Sequence, residues 1–183
     1  IEASSDFGYV MIDPTHIDLP ASAAAYRLAH ADWPARVKEE ARFLARLKPD
    51  LVLTNVSYLP LAGAALAGIP SLSLCSLNWA DLFAHFFGHE EWATSIHTEM
   101  LAAYRSAQSF LRVTPGMPMR QIDNLTHIGP IAAIGQKHDL GLGEDRAVLI
   151  ALGGIAHRLP LEQWPRLPGI RWLVAADWQC QHP

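Results

Sequence analysis

A glycine pair, Gly153-Gly154, closes the apolar run Ala147 to Leu152, and His157 follows three residues on. Glycines carry no Cβ, so a phosphate can approach their backbone N–H groups, and the start of a following helix adds a favourable dipole. The same pair also suits a tight strand-to-helix turn, which asks for glycine in any case. The pattern is neither GxGxxG nor GxxxxGK followed by Ser or Thr, so the dinucleotide and P-loop readings lack their motifs. His157 either meets a ligand or lies on the surface.

A second group sits further up the chain. Asn55 and Ser57 follow one apolar run, and Ser76, Asn78 and Trp79 follow the next. Small polar side chains at strand ends are candidates for holding a polar substrate. Trp79 can stack on a sugar or a base, or plug the core with its N–H on a carbonyl. Ser76 lacks the GxSxG elbow, which leaves a serine hydrolase without support. His85, His89 and Glu90 have the look of metal-ligand spacing, but Gly88 interrupts them and no HExxH pattern is present. They read better as surface or capping residues, and no metal site is expected. Asp13, Asp18 and Asp81 form no recognisable acid pair.

The elements that position these residues are legible from Pro49 to Trp79. Leu51, Val52 and Leu53 predict a strand covered on both faces. Pro60 suits the first turn of a helix, Leu61 to Leu66 continue it, and Gly68 ends it in the left-handed conformation. Ser71 to Cys75 is the next strand. The two strands are therefore expected to be adjacent and parallel, with the helix crossing on one face. Both polar groups then fall on the carboxyl edge of the sheet, where open α/β sheets bind ligands.

The flanking chain keeps the α/β rhythm. Tyr9 to Ile12 reads as a short strand before a turn at Asp13-Pro14, and Ala21 to Ala31 as a helix. Asp32 is the expected N-cap of a second helix, with Pro34 in its first turn and an apolar stripe of Val37, Ala41, Leu44 and Leu47. Asp81 to Phe87 and Glu90 to Gln108 read as helices, and Phe110 to Val113 and Thr126 to Ile128 as strands. Glycines and charges make residues 131–145 a linker. Beyond it, Ala147 to Leu152 predicts a buried strand, Leu159 to Trp164 a short helix and Arg171 to Ala175 a further strand. The expected division is a Rossmann-like domain over residues 1–130, the linker, and the start of a second such domain over 146–183.

Composition narrows the function. The 183 residues are half hydrophobic and 17% charged, with a formal net charge of −4. That is a globular chain. It has no basic tract for nucleic acid. It has no apolar run of the ~18 residues that crossing a membrane takes. Cys75 and Cys180, far apart, predict reduced thiols and a cytoplasmic setting. A start at Ile1 and a stop just after an apparent strand suggest that sequence is missing at both ends.

Four stretches in this order and spacing resemble the GT-B glycosyltransferase family, in the branch of MurG and the UDP-sugar glycosyltransferases. KPDLVLTN (Lys48 to Asn55) and AGIPSLSLCSLNW (Ala67 to Trp79) resemble the last strands of an acceptor-side domain. HIGPIA (His127 to Ala132) resembles the crossing segment, and AVLIALGGIAH (Ala147 to His157) the first strand and glycine loop of a donor-side domain. The resemblance implies an incomplete GT-B arrangement of two Rossmann-like domains and transfer of a sugar from a nucleotide sugar, UDP-linked by preference, to an acceptor. It implies no tightly held organic cofactor. The site residues implied or suggested are Asn55, Ser57, Ser76, Asn78, Trp79, Gly153, Gly154 and His157. The family's histidine-bearing glycine loop and its nucleotide-holding acidic segment have no counterpart here, so no catalytic base is assigned, and this piece alone is expected to be inactive. A sugar-nucleotide 2-epimerase and a non-catalytic binding module share the layout and stand as alternatives.

Overall fold

The computed structural model describes residues 8–151 and 158–174. Two short strands come first, β1 (Met11–Asp13) and β2 (His16–Ile17), paired antiparallel. The Asp13 carboxylate holds their turn. It accepts from the Thr15 hydroxyl at 2.6 Å and the Thr15 N–H at 2.7 Å, and meets His16 Nδ1 at 2.8 Å. The bonds from Thr15, then those to His16, hold this carboxyl far below the usual carboxylate range.

Helices α1 (Leu19–His30) and α2 (Trp33–Leu47) both begin on an aspartate. Asp18 accepts from Ala21 N at 2.9 Å and Asp32 from Ala35 N at 3.1 Å, each satisfying a helix-start N–H that has no intrahelical partner. Helix α2 stops at Lys48, which is left-handed at φ 51°. Of its expected stripe, Ala41 and Leu44 are buried, whereas Leu47, in the last turn, is exposed.

The main sheet contains β3 (Val52–Thr54), β4 (Ser71–Cys75), β5 (Ser109–Val113) and β6 (Leu125–Ile128), in that spatial order and parallel throughout. Helix α3 (Leu59–Ala67) joins β3 to β4, with Pro60 in its first turn and Gly68 closing it at φ 68°. This is the βαβ unit expected from Pro49 to Trp79, and with the flanking helices it makes a mixed α/β fold consistent with a Rossmann-like sheet. Helices α4 (Trp79–Phe87) and α5 (Ala93–Ser106) lie between β4 and β5 in the chain. The core gathers Tyr26, Leu61, Phe83, Met100, Tyr104 and Phe110, all but inaccessible to solvent. Tyr26 meets Phe83 edge-on at 4.8 Å, the arrangement that ring quadrupoles favour.

One expectation about β3 fails. Leu51 is 45% and Leu53 58% exposed, while Val52 and Thr54 are buried. The strand is at the edge of the described sheet, and its side chains alternate between a helix-covered face and an open one.

The chain divides into two compact units, one containing Asp18–Ala132 with the residues up to Val10, the other Met11–Ile17 with Ala133–Pro183. In the second, β7 (Arg146–Leu149) pairs parallel with β8 (Ile170–Leu173), apart from the main sheet. A single 3-10 turn, Leu161–Gln163, stands where a short helix was expected, and Leu161 is buried. The run from Ala147 does form a strand, but it is not buried: every residue of β7 is exposed. Two paired strands give an apolar run nothing to face unless another layer covers it. Leu152 lies outside the described residues.

Candidate functional site

Because β3 to β6 are parallel, their carboxyl ends share one edge. Three loops leave it, and their backbones are tied to one another. Ser73 Oγ donates to Asn55 O at 2.9 Å. The Tyr104 hydroxyl, reaching from α5, donates to Val56 O at 2.6 Å and accepts from Trp79 N at 3.1 Å. Met117 N donates to Ser76 O at 2.8 Å. Gly116 passes so close that a Cβ there would stand 2.6 Å from Val113 O and 2.8 Å from Ser76 O. A bulkier residue at 116 would push this loop off the edge.

The polar residues expected at strand ends are brought together here, in different states. Asn55 is exposed, and Ser57 and Ser76 are half-buried. Asn78 is fully buried at 0% exposure, and its Oδ1 accepts from Asp81 N at 2.7 Å, capping α4. Trp79 packs edge-on to Tyr9 at 5.9 Å, and Gly8 lies against its ring, where a Cβ would come within 2.7 Å of Cζ2. Gly153, Gly154 and His157 fall outside the described residues. Among the described residues no group of His, Cys, Asp and Glu could hold a metal ion. His85 meets Phe86 edge-on, and His89 Nε2 lies 3.4 Å from Glu90.

Among the described residues, several buried polar atoms at this edge have no hydrogen-bond partner: Thr54 Oγ1, Asn78 Nδ2, Trp79 Nε1 and Arg112 Nε. Unsatisfied buried groups are costly and scarce in folded proteins. Four such atoms fall at or just after strand ends on this edge, while Tyr9 Oη, His97 Nε2 and Asn124 Oδ1 are others elsewhere in the same unit. Arg112 was not singled out from sequence, although a charged residue inside the apolar strand FLRV was a visible signal.

The first loop is anchored by a relay that sequence reasoning also missed. His30 Nδ1 lies 2.6 Å from Glu99 Oε2, and His30 Nε2 lies 2.9 Å from the Tyr58 hydroxyl. The carboxylate can only accept, so Nδ1 carries the proton and Nε2 accepts from Tyr58. Trp33 stacks on the imidazole at 4.6 Å. Burial pulls the His30 pKa below its ordinary value against the opposing pull of Glu99, with Arg36 adding to the fall. The order carboxylate, imidazole, hydroxyl has the form of a nucleophile relay, but Tyr58 is only 2% exposed. The relay therefore fixes the loop after β3 and does not present a reacting oxygen.

No helix among the described residues is long and apolar enough to cross a membrane. No protein-family model, curated protein or solved structure matches the chain.

Proposed function

We propose that this chain is part of a glycosyltransferase-like protein of the GT-B type, transferring a sugar from a nucleotide sugar to an acceptor. The observation that carries the reading is the edge just described: an all-parallel sheet whose carboxyl ends collect tied loops and unpaired polar atoms. Open parallel sheets bind ligands at that edge. On this reading it faces the acceptor. The second parallel pair, β7 with β8, starts the donor side, and Gly153-Gly154 would follow its first strand. Backbone N–H groups there would stabilise the leaving diphosphate, the largest charge that develops in such a transfer. Arg158 would add positive charge nearby.

The test is calorimetric titration of UDP and other nucleoside diphosphates into the whole protein and a Gly153→Val, Gly154→Val double variant. The expected result is binding to the wild type, several-fold weaker in a variant that circular dichroism shows to be folded. Equal affinity would place the diphosphate elsewhere. Failure of every nucleotide to bind would leave a non-catalytic module.

A further inference from the structure

Arg112 and His127 occupy paired positions on neighbouring parallel strands, each one residue before its strand's carboxyl end. Arg112 Nη1 lies 3.3 Å from His127 Nε2. A guanidinium only donates, so the imidazole nitrogen accepts. Among the described residues this ring is Arg112's one hydrogen-bond partner, and no carboxylate pairs with it. Its Nε is buried without a partner beneath Gly116, where a Cβ would stand 3.2 Å away. The arginine is thus held at its stem by packing, with the outer part of a planar donor fork at the edge of the sheet, beside an exposed imidazole.

We propose that Arg112 and His127 form a binding site for a phosphate group at the carboxyl edge of the main sheet. A half-buried guanidinium with no counter-charge among the described residues gains most from an oxyanion, and a fixed fork loses little freedom in binding one. The imidazole suits the same ligand: its Nε2 accepts from Arg112, so the neutral ring carries its proton on Nδ1 and keeps an N–H that can donate to a phosphate oxygen. The carboxyl edge is also where open parallel sheets bind their ligands. The site lies within the first unit and does not rest on nucleotide-sugar binding by the second.

The probe is inorganic phosphate, titrated into the full chain at constant ionic strength, with potassium chloride as the control. Readouts are the His127 ring and Arg112 Nε–H resonances by NMR, assigned with His127→Gln and Arg112→Gln variants. Both signals are expected to move together and to saturate with phosphate. Arg112→Gln should abolish the His127 response. Arg112→Lys, which keeps the charge and loses the fork, should weaken it several-fold and serves where the glutamine variant does not fold. A response that chloride reproduces, or one that survives unchanged in the folded lysine or glutamine variant, overturns the site. A saturating phosphate response without any UDP binding upholds the site while removing the donor reading. UDP binding without a phosphate response at these two residues removes this site alone.

Discussion

His30 sits where a proton is hard to add. Burial disfavours the imidazolium, and although Glu99 pulls the other way, the pKa stays below its ordinary value. His97 is displaced in the same direction, by burial first, with Asp81 opposing and Arg105 assisting. In the unfolded chain both rings protonate near pH 6.5. Below that pH the unfolded state takes up protons that the folded state refuses. The stability these residues provide is therefore complete above about pH 6.5 and is lost as pH falls toward the lowered folded values. Thermal melts from pH 8 to pH 5 should show a falling midpoint. In His30→Gln, which keeps polar contacts to Tyr58 and Glu99 but cannot titrate, the fall should be shallower. An identical slope in the variant would place the linkage elsewhere. None of this was legible in the sequence, because Glu99 lies 69 residues from His30 and only the packing of α1 against α5 brings them together. Arg112 was legible as a charge within an apolar strand, but its pairing with His127 depends on a register that no local pattern states.

Elements were read best where their ends rest on local chemistry. Asp32 and Gly68 fall where capping rules place them, since an N-cap carboxylate needs only the next few N–H groups and a left-handed stop needs only a missing Cβ. Asp32→Ala should lower stability by about 1 kcal/mol in urea denaturation, the usual cost of an N-cap. Gly63 shows the limit of local reading. Propensity makes a glycine inside α3 a defect worth ~1 kcal/mol relative to alanine. The packing reverses that sign. A Cβ on Gly63 would stand 2.5 Å from Glu40 Cγ, 2.9 Å from its Cβ and 3.2 Å from the Ala41 backbone nitrogen. The glycine is what lets α3 approach α2 so closely, and Glu40, crowded there, has its carboxyl raised mainly by burial. Gly63→Val is expected to destabilise by roughly 1–3 kcal/mol, the range for overpacking. A variant as stable as wild type in urea would mean that the two helices separate at little cost.

At the scale of the whole molecule, the order of strands and helices was visible in the alternation of apolar runs with helical stretches, and the parallel sheet follows from it. What the runs did not reveal is which of their faces is covered. Three consecutive apolar residues, Leu51 to Leu53, look the same in a central strand as at an edge, because the difference lies in how many neighbours the fold supplies. The same ambiguity affects β7, whose apolar residues are exposed. Burial, not hydrophobicity, sets the energetic weight of a leucine, and two leucines of the same βαβ unit separate the two quantities. Leu61 on α3 is 0% exposed and part of the main core, whereas Leu53 on β3 is 58% exposed. Leu61→Ala removes a buried isobutyl group and leaves a cavity, so a loss of about 2–5 kcal/mol is expected. Leu53→Lys places a charge where water already reaches, and an exposed substitution of this kind shifts stability by no more than ~0.5 kcal/mol. Urea denaturation of both variants measures the contrast directly. A loss at Leu53 as large as that at Leu61 would mean that another layer covers the open face of β3 in solution, restoring the two-sided burial expected from its apolar run.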